Sequence, residues 1–179
     1  MKHQIKYDPT RFGAPILTFS GTTVYPLDPK PNEILIVDIA HALSRMCRFN
    51  GHIQRDIYSV AEHSMRVVDR LELSHVPREV SLWGLLHDAS EAYLADIVKP
   101  AKDFLPDYLK YEKQLMDVIA KRFGLPVDMP AKVHEADRYL YTIETEDLRG
   151  PIFEATTIKR TLSPATAEKL FLEYFYDLQ

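Results

Sequence analysis

The sequence predicts an all-α protein, a helical bundle with a small N-terminal β-hairpin. Three observations favour this class. Beyond residue 34, apolar residues recur at intervals of three and four, which is the period of an amphipathic helix. Strand-like runs occur only near the N-terminus and are short. No internal repeat or low-complexity tract points to a repeat architecture or a disordered chain.

The composition is that of a soluble globular protein of one domain. The chain has 179 residues, of which 46% are hydrophobic and 27% are charged. Its net charge of −4, without a long basic run, argues against a nucleic acid polymer as partner. Cys47 is the only cysteine, so no internal disulfide is expected. The polar N-terminus and the lack of a membrane-length apolar run predict a cytoplasmic protein with no membrane partner.

Two parts of unequal size are expected. Residues 1–33 are predicted to form an arm and a short hairpin, in which Ile16–Phe19 and Thr22–Tyr25 flank the turn residues Ser20 and Gly21. Residues 34–179 are predicted to form the helical bundle, and both parts belong to a single structural domain. The predicted helices cover about 34–49, 59–73, 77–95, 107–122, 131–148 and 164–178.

The predicted helix ends rest on local signals. Ser59 and Glu62 form a capping-box pattern at the start of the second helix, and Pro77 suits the first turn of the third. Gly124 marks the end of the fourth. Pro100 is expected to break helicity, which leaves residues 96–102 as a loop beside the end of the third helix.

The third predicted helix is apolar until His87, Asp88 and Glu91 appear together. On a continuous helix, residues three and four apart share one face, so these side chains are expected to crowd one end of that face. Two carboxylates carried from an apolar face towards an interior are costly unless a cation meets them. The motif therefore predicts a bound metal ion.

Two other helices also place a polar group on an apolar face. His63 stands in the apolar stripe of the second helix, and Asp137 stands in the apolar row of the fifth. A single histidine in such a stripe is more often an ordinary core residue. Two imidazoles and two carboxylates together suit one divalent transition metal ion, such as Zn, Mn, Co or Ni, in an open site. We therefore predict His63, His87, Asp88 and Asp137 as metal ligands.

The order His63, His87-Asp88, Asp137 resembles the HD-domain metal-dependent phosphohydrolases over about two-thirds of the chain. That resemblance implies a helical bundle with the four residues on one metal. Ala-Glu-His63-Ser and His87-Asp88-Ala-Ser-Glu91, with Asp96 following, look like the bacterial 5′-deoxynucleotidases, and residues 34–148 look closest to small HD hydrolases of prophages and phages. The relatives are dimers or larger assemblies, so a homo-oligomer is expected by resemblance.

The resemblance also implies roles for three other residues. Arg48 lies fifteen residues before His63, where the deoxynucleotidases carry an arginine that holds the substrate phosphate. Glu91 is implied to orient the attacking water or to move its proton, and Asp96 to contact the sugar or to assist the leaving oxygen. The alternatives are an ordinary helix-end cation for Arg48, a plain surface acid for Glu91 and a simple turn residue for Asp96.

Three more residues are predicted to bind substrate from their positions. Lys99 and Lys102 would add positive charge near a longer phosphate tail, and Phe49 is placed to stack on a base. A solvated surface position for the two lysines and a core position for Phe49 are equally good interpretations. The remaining histidines, among them His52 and His134, are expected to be structural or exposed.

The predicted function is hydrolysis of deoxynucleotides by a water molecule that a metal ion activates. The preferred reaction removes phosphate from a deoxynucleoside monophosphate. The alternative releases triphosphate from a deoxynucleoside triphosphate, and the metal ligands cannot separate the two because both reactions cut the bond at the 5′ oxygen. A nucleotide-binding module without turnover is a further alternative, against which Glu91 argues, since binding alone needs no proton-transfer acid.

Overall fold

A computed structural model describes residues 5–151, 154–155 and 157–179. The described chain is mostly helical, and its sheet is an antiparallel pair of short strands, β1 (Ile16–Leu17) and β2 (Thr23–Val24). Ile16 lies opposite Val24 and Leu17 opposite Thr23. The predicted class, all-α with an N-terminal β-hairpin, is confirmed. No helix within the described ranges has both the length and the apolar character needed to cross a bilayer.

The helices that the structure describes follow the hairpin in chain order. They are α1 (Ile36–Leu43), α2 (Val60–Glu72), α3 (Arg78–Leu86), α4 (Glu91–Leu94), α5 (Lys99–Lys102), α6 (Pro106–Phe123), α7 (Ala131–Arg149) and α8 (Pro164–Leu178). Two 3₁₀ turns, Pro31–Glu33 and Arg48–Gly51, stand before and after α1.

The helices predicted second, fourth, fifth and sixth match α2, α6, α7 and α8 within one or two residues. Gly124 adopts the left-handed conformation, with φ of 71°, that ends α6. The Ser59 hydroxyl accepts the amide of Glu62, as a capping box requires. The Glu62 side chain instead accepts from Arg66 and from the amide of Leu162, so only half of the predicted capping box forms.

The first helix is shorter than predicted. It ends at Leu43, because the following residues leave the helix to pair with the chain that precedes α2. Cys47 is extended and bridges Ser59, and the amide of Arg48 donates to the carbonyl of Tyr58 at 2.9 Å. The periodicity of apolar residues continues through residues 44–48. The backbone there does not stay helical, because it forms strand-like hydrogen bonds with residues 58–60.

The third helix is not continuous, so the prediction of one helix over 77–95 is wrong. The α3 helix stops at Leu86, residues 87–90 form turns, and α4 begins at Glu91. The carbonyl of Gly84 accepts a hydrogen bond from the His87 ring at 2.8 Å, and the Glu91 amide donates to the Asp88 carbonyl in a tighter i to i−3 pattern. The predicted loop 96–102 is also corrected, since Pro100 sits in the first turn of α5.

The packing of α2 against α3 brings the two histidine segments together. The two helices run antiparallel, and Gly84 lies so close to α2 that an added Cβ would meet Leu71 Cδ1 at 2.4 Å and Val67 Cγ1 at 3.3 Å. His63 follows Leu71 and Val67 back along the same buried face. Helices α7 and α8 cover this pair, and their apolar residues complete the main core.

Candidate metal centre

The four predicted ligands converge at one point between α2, the end of α3 and α7. The Nε2 atoms of His63 and His87 are 3.3 Å apart. Asp88 Oδ2 lies 3.2 Å from His87 Nε2 and 3.8 Å from His63 Nε2. Asp137 Oδ1 lies 3.1 Å from His63 Nε2 and 3.9 Å from His87 Nε2. Ligand atoms of His63, His87 and Asp88 all fall within 4.8 Å of one another, and Asp137 joins them through the two imidazoles.

The hydrogen bonds on the far side of each ring make this arrangement suitable for a cation. His63 Nδ1 faces Glu144 Oε1 at 2.5 Å, and His87 Nδ1 faces the carbonyl of Gly84 at 2.8 Å. Both partners can only accept from the ring, so each Nδ1 carries a proton. In the neutral rings both Nε2 atoms then present lone pairs to the same space. The donor set, two imidazoles and two carboxylates, fits a divalent transition metal ion.

Neighbouring charges shift the pKa values of the residues at this point. Burial alone would lower the pKa of His87, but the carboxylates of Asp88 and Asp137 raise it to about 9. Burial alone would raise the pKa of Asp88, but His87, His63 and Arg48 hold it well below its usual range. The pKa of Asp137 is also lowered, against the effect of burial, by its hydrogen bond with His63. The site thus stabilises a positive charge between its carboxylates.

The chain has close relatives among bacterial proteins. Over 174 residues it is 38% identical to the uncharacterized protein YfdR of Escherichia coli (strain K12), an alignment that covers 91% of this chain and 94% of YfdR. The chain belongs to the YfdR family. A second member, the uncharacterized protein RCAP_rcc00048 of Rhodobacter capsulatus, is 36% identical over 139 residues, which are 73% of this chain and 71% of that protein. No protein-family model matches the chain.

In this member of the YfdR family, Arg48 reaches the candidate metal centre from the turn after α1. Its Nε donates to Glu144 Oε2 at 3.2 Å, and a terminal nitrogen lies 3.4 Å from Asp88 Oδ2. Burial would lower the pKa of the guanidinium, but Glu144 and Asp88 raise it above its usual value. The backbone that follows is left-handed at Phe49, Asn50 and Gly51, with φ of 56°, 50° and 75°. Arg48 is therefore a constrained cation beside the predicted metal ligands.

The two predicted acid residues flank the same centre. Glu91 is buried, and its Oε2 has no hydrogen-bond partner within the described ranges. Burial, together with Asp88 and Asp96, raises the pKa of Glu91 to about 10. Burial also raises the pKa of Asp96, although Arg48 partly offsets this effect. Asp96 follows Ala95, a residue with φ of 70° and ψ of 156°, whose carbonyl accepts from the Tyr108 hydroxyl at 2.7 Å.

A cleft of about 1220 Å³ opens from the metal centre. All the predicted acid and substrate-binding residues line it, together with two of the predicted ligands: Arg48, Phe49, Asp88, Glu91, Asp96, Lys99, Lys102 and Asp137. The structure therefore brings the ten predicted site residues to one place, with His63 and His87 beneath the cleft.

The side-chain contacts of three of these residues, or their absence among the described residues, bear on the predicted roles. Lys102 forms an ion pair with Glu112 at 2.5 Å, so its charge is partly neutralised. The ring of Phe49 lies 4.8 Å from the Arg149 guanidinium and 5.9 Å from the Tyr141 ring, which leaves less of it open to a base. The side chain of Lys99 has no hydrogen bond or ion pair within the described ranges, although its carbonyl accepts from the amide of Asp103.

Sequence reasoning missed several residues of the site. Glu144, on α7 two turns beyond Asp137, is completely buried beneath His63. The available signal was its place on the same apolar face as Asp137. The exposed residues that line the cleft also include His52 and three residues of α7 on either side of Asp137, which are His134, Arg138 and Tyr141.

Proposed function

We propose that the chain is a metal-dependent phosphohydrolase of the HD-domain type that acts on deoxynucleotides. The observation that carries this proposal is the convergence of His63, His87, Asp88 and Asp137 at the base of a cleft, with both Nδ1 atoms occupied elsewhere. These four residues would hold one ion of Zn, Mn, Co or Ni. Such an ion supplies a polarised phosphoryl oxygen and an activated water molecule when it is bound.

Arg48 is the group suited to hold the reacting phosphate. It lies against the metal ligand Asp88, and its planar guanidinium can donate two parallel hydrogen bonds to one phosphate group. Its Nε is held by Glu144, so the terminal nitrogens are the ones available to a substrate. A phosphate bound here would have its phosphorus next to the metal centre.

Glu91 is suited to receive or orient a proton of the attacking water. It is the first residue of α4, three residues after Asp88, and it lines the cleft. One of its oxygens is buried without a partner among the described residues. An unsatisfied buried carboxyl group is costly in a structure and is common where a group must handle a proton. Asp96 is placed further along the same wall to contact the sugar or the leaving oxygen.

The preferred reaction releases phosphate from a deoxynucleoside 5′-monophosphate. Among the described residues, Arg48 is the one cation in contact with a predicted metal ligand, and Lys102 is already paired with Glu112. One cation at this point suits a single phosphate group. The second candidate, release of triphosphate from a deoxynucleoside triphosphate, is favoured by a different observation. Lys99, Arg138 and Arg149 line the same cleft and would suit a longer phosphate tail.

The test begins with the protein stripped of metal and reloaded separately with Mn²⁺, Co²⁺, Ni²⁺ or Zn²⁺. Each form is assayed on deoxy- and ribonucleoside mono- and triphosphates, and the released anion is identified. We expect metal-dependent release of phosphate from deoxynucleoside monophosphates. Release of triphosphate would favour the second candidate, and tight nucleotide binding without release would favour a binding module.

A matched pair of variants tests the role of Arg48. Arg48→Lys keeps the charge but loses the bidentate geometry, so kcat/KM should fall by about 10- to 100-fold, the value of one or two hydrogen bonds to a charged group. Arg45→Lys is the control, because Arg45 is exposed and bonds Glu168 and the end of α1. Equal activity of the two variants would contradict the assignment of Arg48.

A further inference from the structure

Glu144 is a completely buried carboxylate that accepts hydrogen bonds from three side chains. Its Oε1 accepts from His63 Nδ1 at 2.5 Å and from the Tyr58 hydroxyl at 2.7 Å. Its Oε2 accepts from Arg48 Nε at 3.2 Å. The backbone pairing of residues 47–48 with residues 58–59 holds Arg48 beside Tyr58, and both side chains contact this carboxylate. One buried anion therefore touches a predicted metal ligand and the predicted phosphate-binding cation.

The same helix contacts both nitrogens of His63. Asp137 and Glu144 are seven residues apart on α7, which places them two turns apart on one face. Asp137 Oδ1 lies 3.1 Å from His63 Nε2, and Glu144 Oε1 lies 2.5 Å from His63 Nδ1. The His63 imidazole therefore lies between the carboxylates of Asp137 and Glu144, and α7, which carries both, sets the orientation of the ring.

The contact with Glu144 also sets the tautomer of His63. A carboxylate in this position can only accept, so the proton of a neutral imidazole is held on Nδ1, and the Nε2 lone pair is directed at the metal centre. The other oxygen of Glu144 holds Nε of Arg48 and leaves the terminal nitrogens free to turn towards the cleft and Asp88.

We propose that Glu144 is a positioning residue that couples His63 to Arg48, so that metal binding and phosphate binding depend on the same carboxylate. This inference rests on the proposed function, because it assigns Glu144 to the support of that site. Because one carboxylate bonds both His63 and Arg48, a change at Glu144 should weaken the binding of the metal ion and of the phosphate. Burying a charge here without such a role would be costly, and an apolar side chain would fill the space.

Glu144→Gln is the most informative variant. The amide oxygen of glutamine can still accept from His63 and Tyr58, but its NH₂ group then faces the Nε–H of Arg48, donor against donor. We expect the affinity for Mn²⁺, measured by calorimetry, to fall about tenfold, as for other residues that orient a metal ligand. We expect the affinity of the Mn²⁺-loaded protein for inorganic phosphate to fall by a similar factor.

Asp147→Asn is the matched control on the same helix. Asp147 is a buried carboxylate whose Oδ2 accepts the amides of Thr157 and Ile158, at 2.7 and 2.6 Å. Its loss should lower the melting temperature and leave both affinities at the wild-type values. A purely structural Glu144 would behave in the same way as Asp147. A Glu144→Gln protein that loses only stability, or only one of the two affinities, would overturn the inference.

A second measurement needs no variant and decides the matter if Glu144→Gln does not fold. In the Zn²⁺-loaded wild-type protein, nitrogen NMR should find His63 bonded to zinc through Nε2, with a slowly exchanging proton on Nδ1. Zinc on Nδ1 would overturn the inference while leaving a metal site in place. A wild-type chain that binds neither Mn²⁺ nor Zn²⁺ would overturn the proposed function and this inference with it.

Discussion

His63 and His87 approach each other through Nε2 atoms that are 3.3 Å apart, while each Nδ1 is hydrogen-bonded on the opposite side of its ring. Two neutral rings held in this way direct lone pairs at each other. A proton or a metal ion between them removes that repulsion, and Asp88 and Asp137 lie close enough to balance its charge.

Metal binding should therefore stabilise the folded chain. Added Zn²⁺ or Mn²⁺ at about 100 times its Kd should raise the unfolding free energy by about 2.7 kcal/mol, and a chelator should reverse the effect. Differential scanning calorimetry measures the shift. His87→Gln should abolish it, whereas His41→Gln should retain it, because His41 stacks on Phe19 and bonds Glu168 away from the site. An equal shift in both variants would show that the ion binds elsewhere.

Glu91→Gln should separate stability from function. Glu91 is buried, one of its oxygens has no partner among the described residues, and burial with Asp88 and Asp96 raises its pKa to about 10, so the protonated form is favoured at neutral pH. Glutamine removes the ionisable group while keeping the shape. We expect the metal-free variant to gain about 1–3 kcal/mol at neutral pH. Its turnover should be almost lost, because the proton-handling carboxyl group is gone.

The gain from Glu91→Gln should depend on pH in a defined direction. The folded-state pKa is raised from an ordinary 4.5 to about 10, so between these values the folded chain binds more protons at Glu91 than the unfolded chain. The contribution of Glu91 to stability therefore falls as the pH rises through this window. Chemical denaturation of wild type and variant at pH 5 and pH 8.5 should show a larger gain at pH 8.5. An equal gain at both values would contradict the raised pKa.

The backbone at Ala95 predicts a stabilising substitution. Its φ of 70° and ψ of 156° lie in a region that suits glycine and costs other residues about 1–3 kcal/mol. Ala95→Gly should therefore raise the melting temperature or leave it unchanged, despite the greater freedom of glycine in the unfolded chain. Ala92→Gly, in the adjacent helix α4, should lower stability by about 1 kcal/mol. Two changes of the same sign would argue against strain at Ala95.

The close approach of α2 and α3 predicts the opposite result at Gly84. A Cβ there would lie 2.4 Å from Leu71 Cδ1, so Gly84→Ala should cost about 1–3 kcal/mol as the helices move apart. Because Leu71 is the side chain that must give way, the double variant with Leu71→Ala should cost less than the sum of the two single variants. Strict additivity in urea denaturation would show that the clash is relieved in another way.

The candidate ligands could be picked out from the sequence, because they are unusual residue types at positions where a core residue is expected. A histidine in an apolar stripe, a His-Asp pair at a helix end and an aspartate in another apolar row stand out against what a core normally contains. Helix periods and the signals at Ser59 and Gly124 predicted most element boundaries, because caps and left-handed stops are local interactions.

The remainder depends on contacts between distant parts of the chain. The apolar pattern alone favours a continuous helix through residues 77–95. In the structure the helix instead breaks after Leu86, where the His87 ring bonds the Gly84 carbonyl and residues 87–90 form turns. In the sequence, nothing distinguishes Glu144 from an ordinary acidic residue of a helix. It becomes part of the candidate site only because α7 packs against His63. Residue order and residue type identify the candidate ligands. The ring tautomers, the position of Arg48 and the shape of the cleft arise from packing, since each requires atoms from several helices at once.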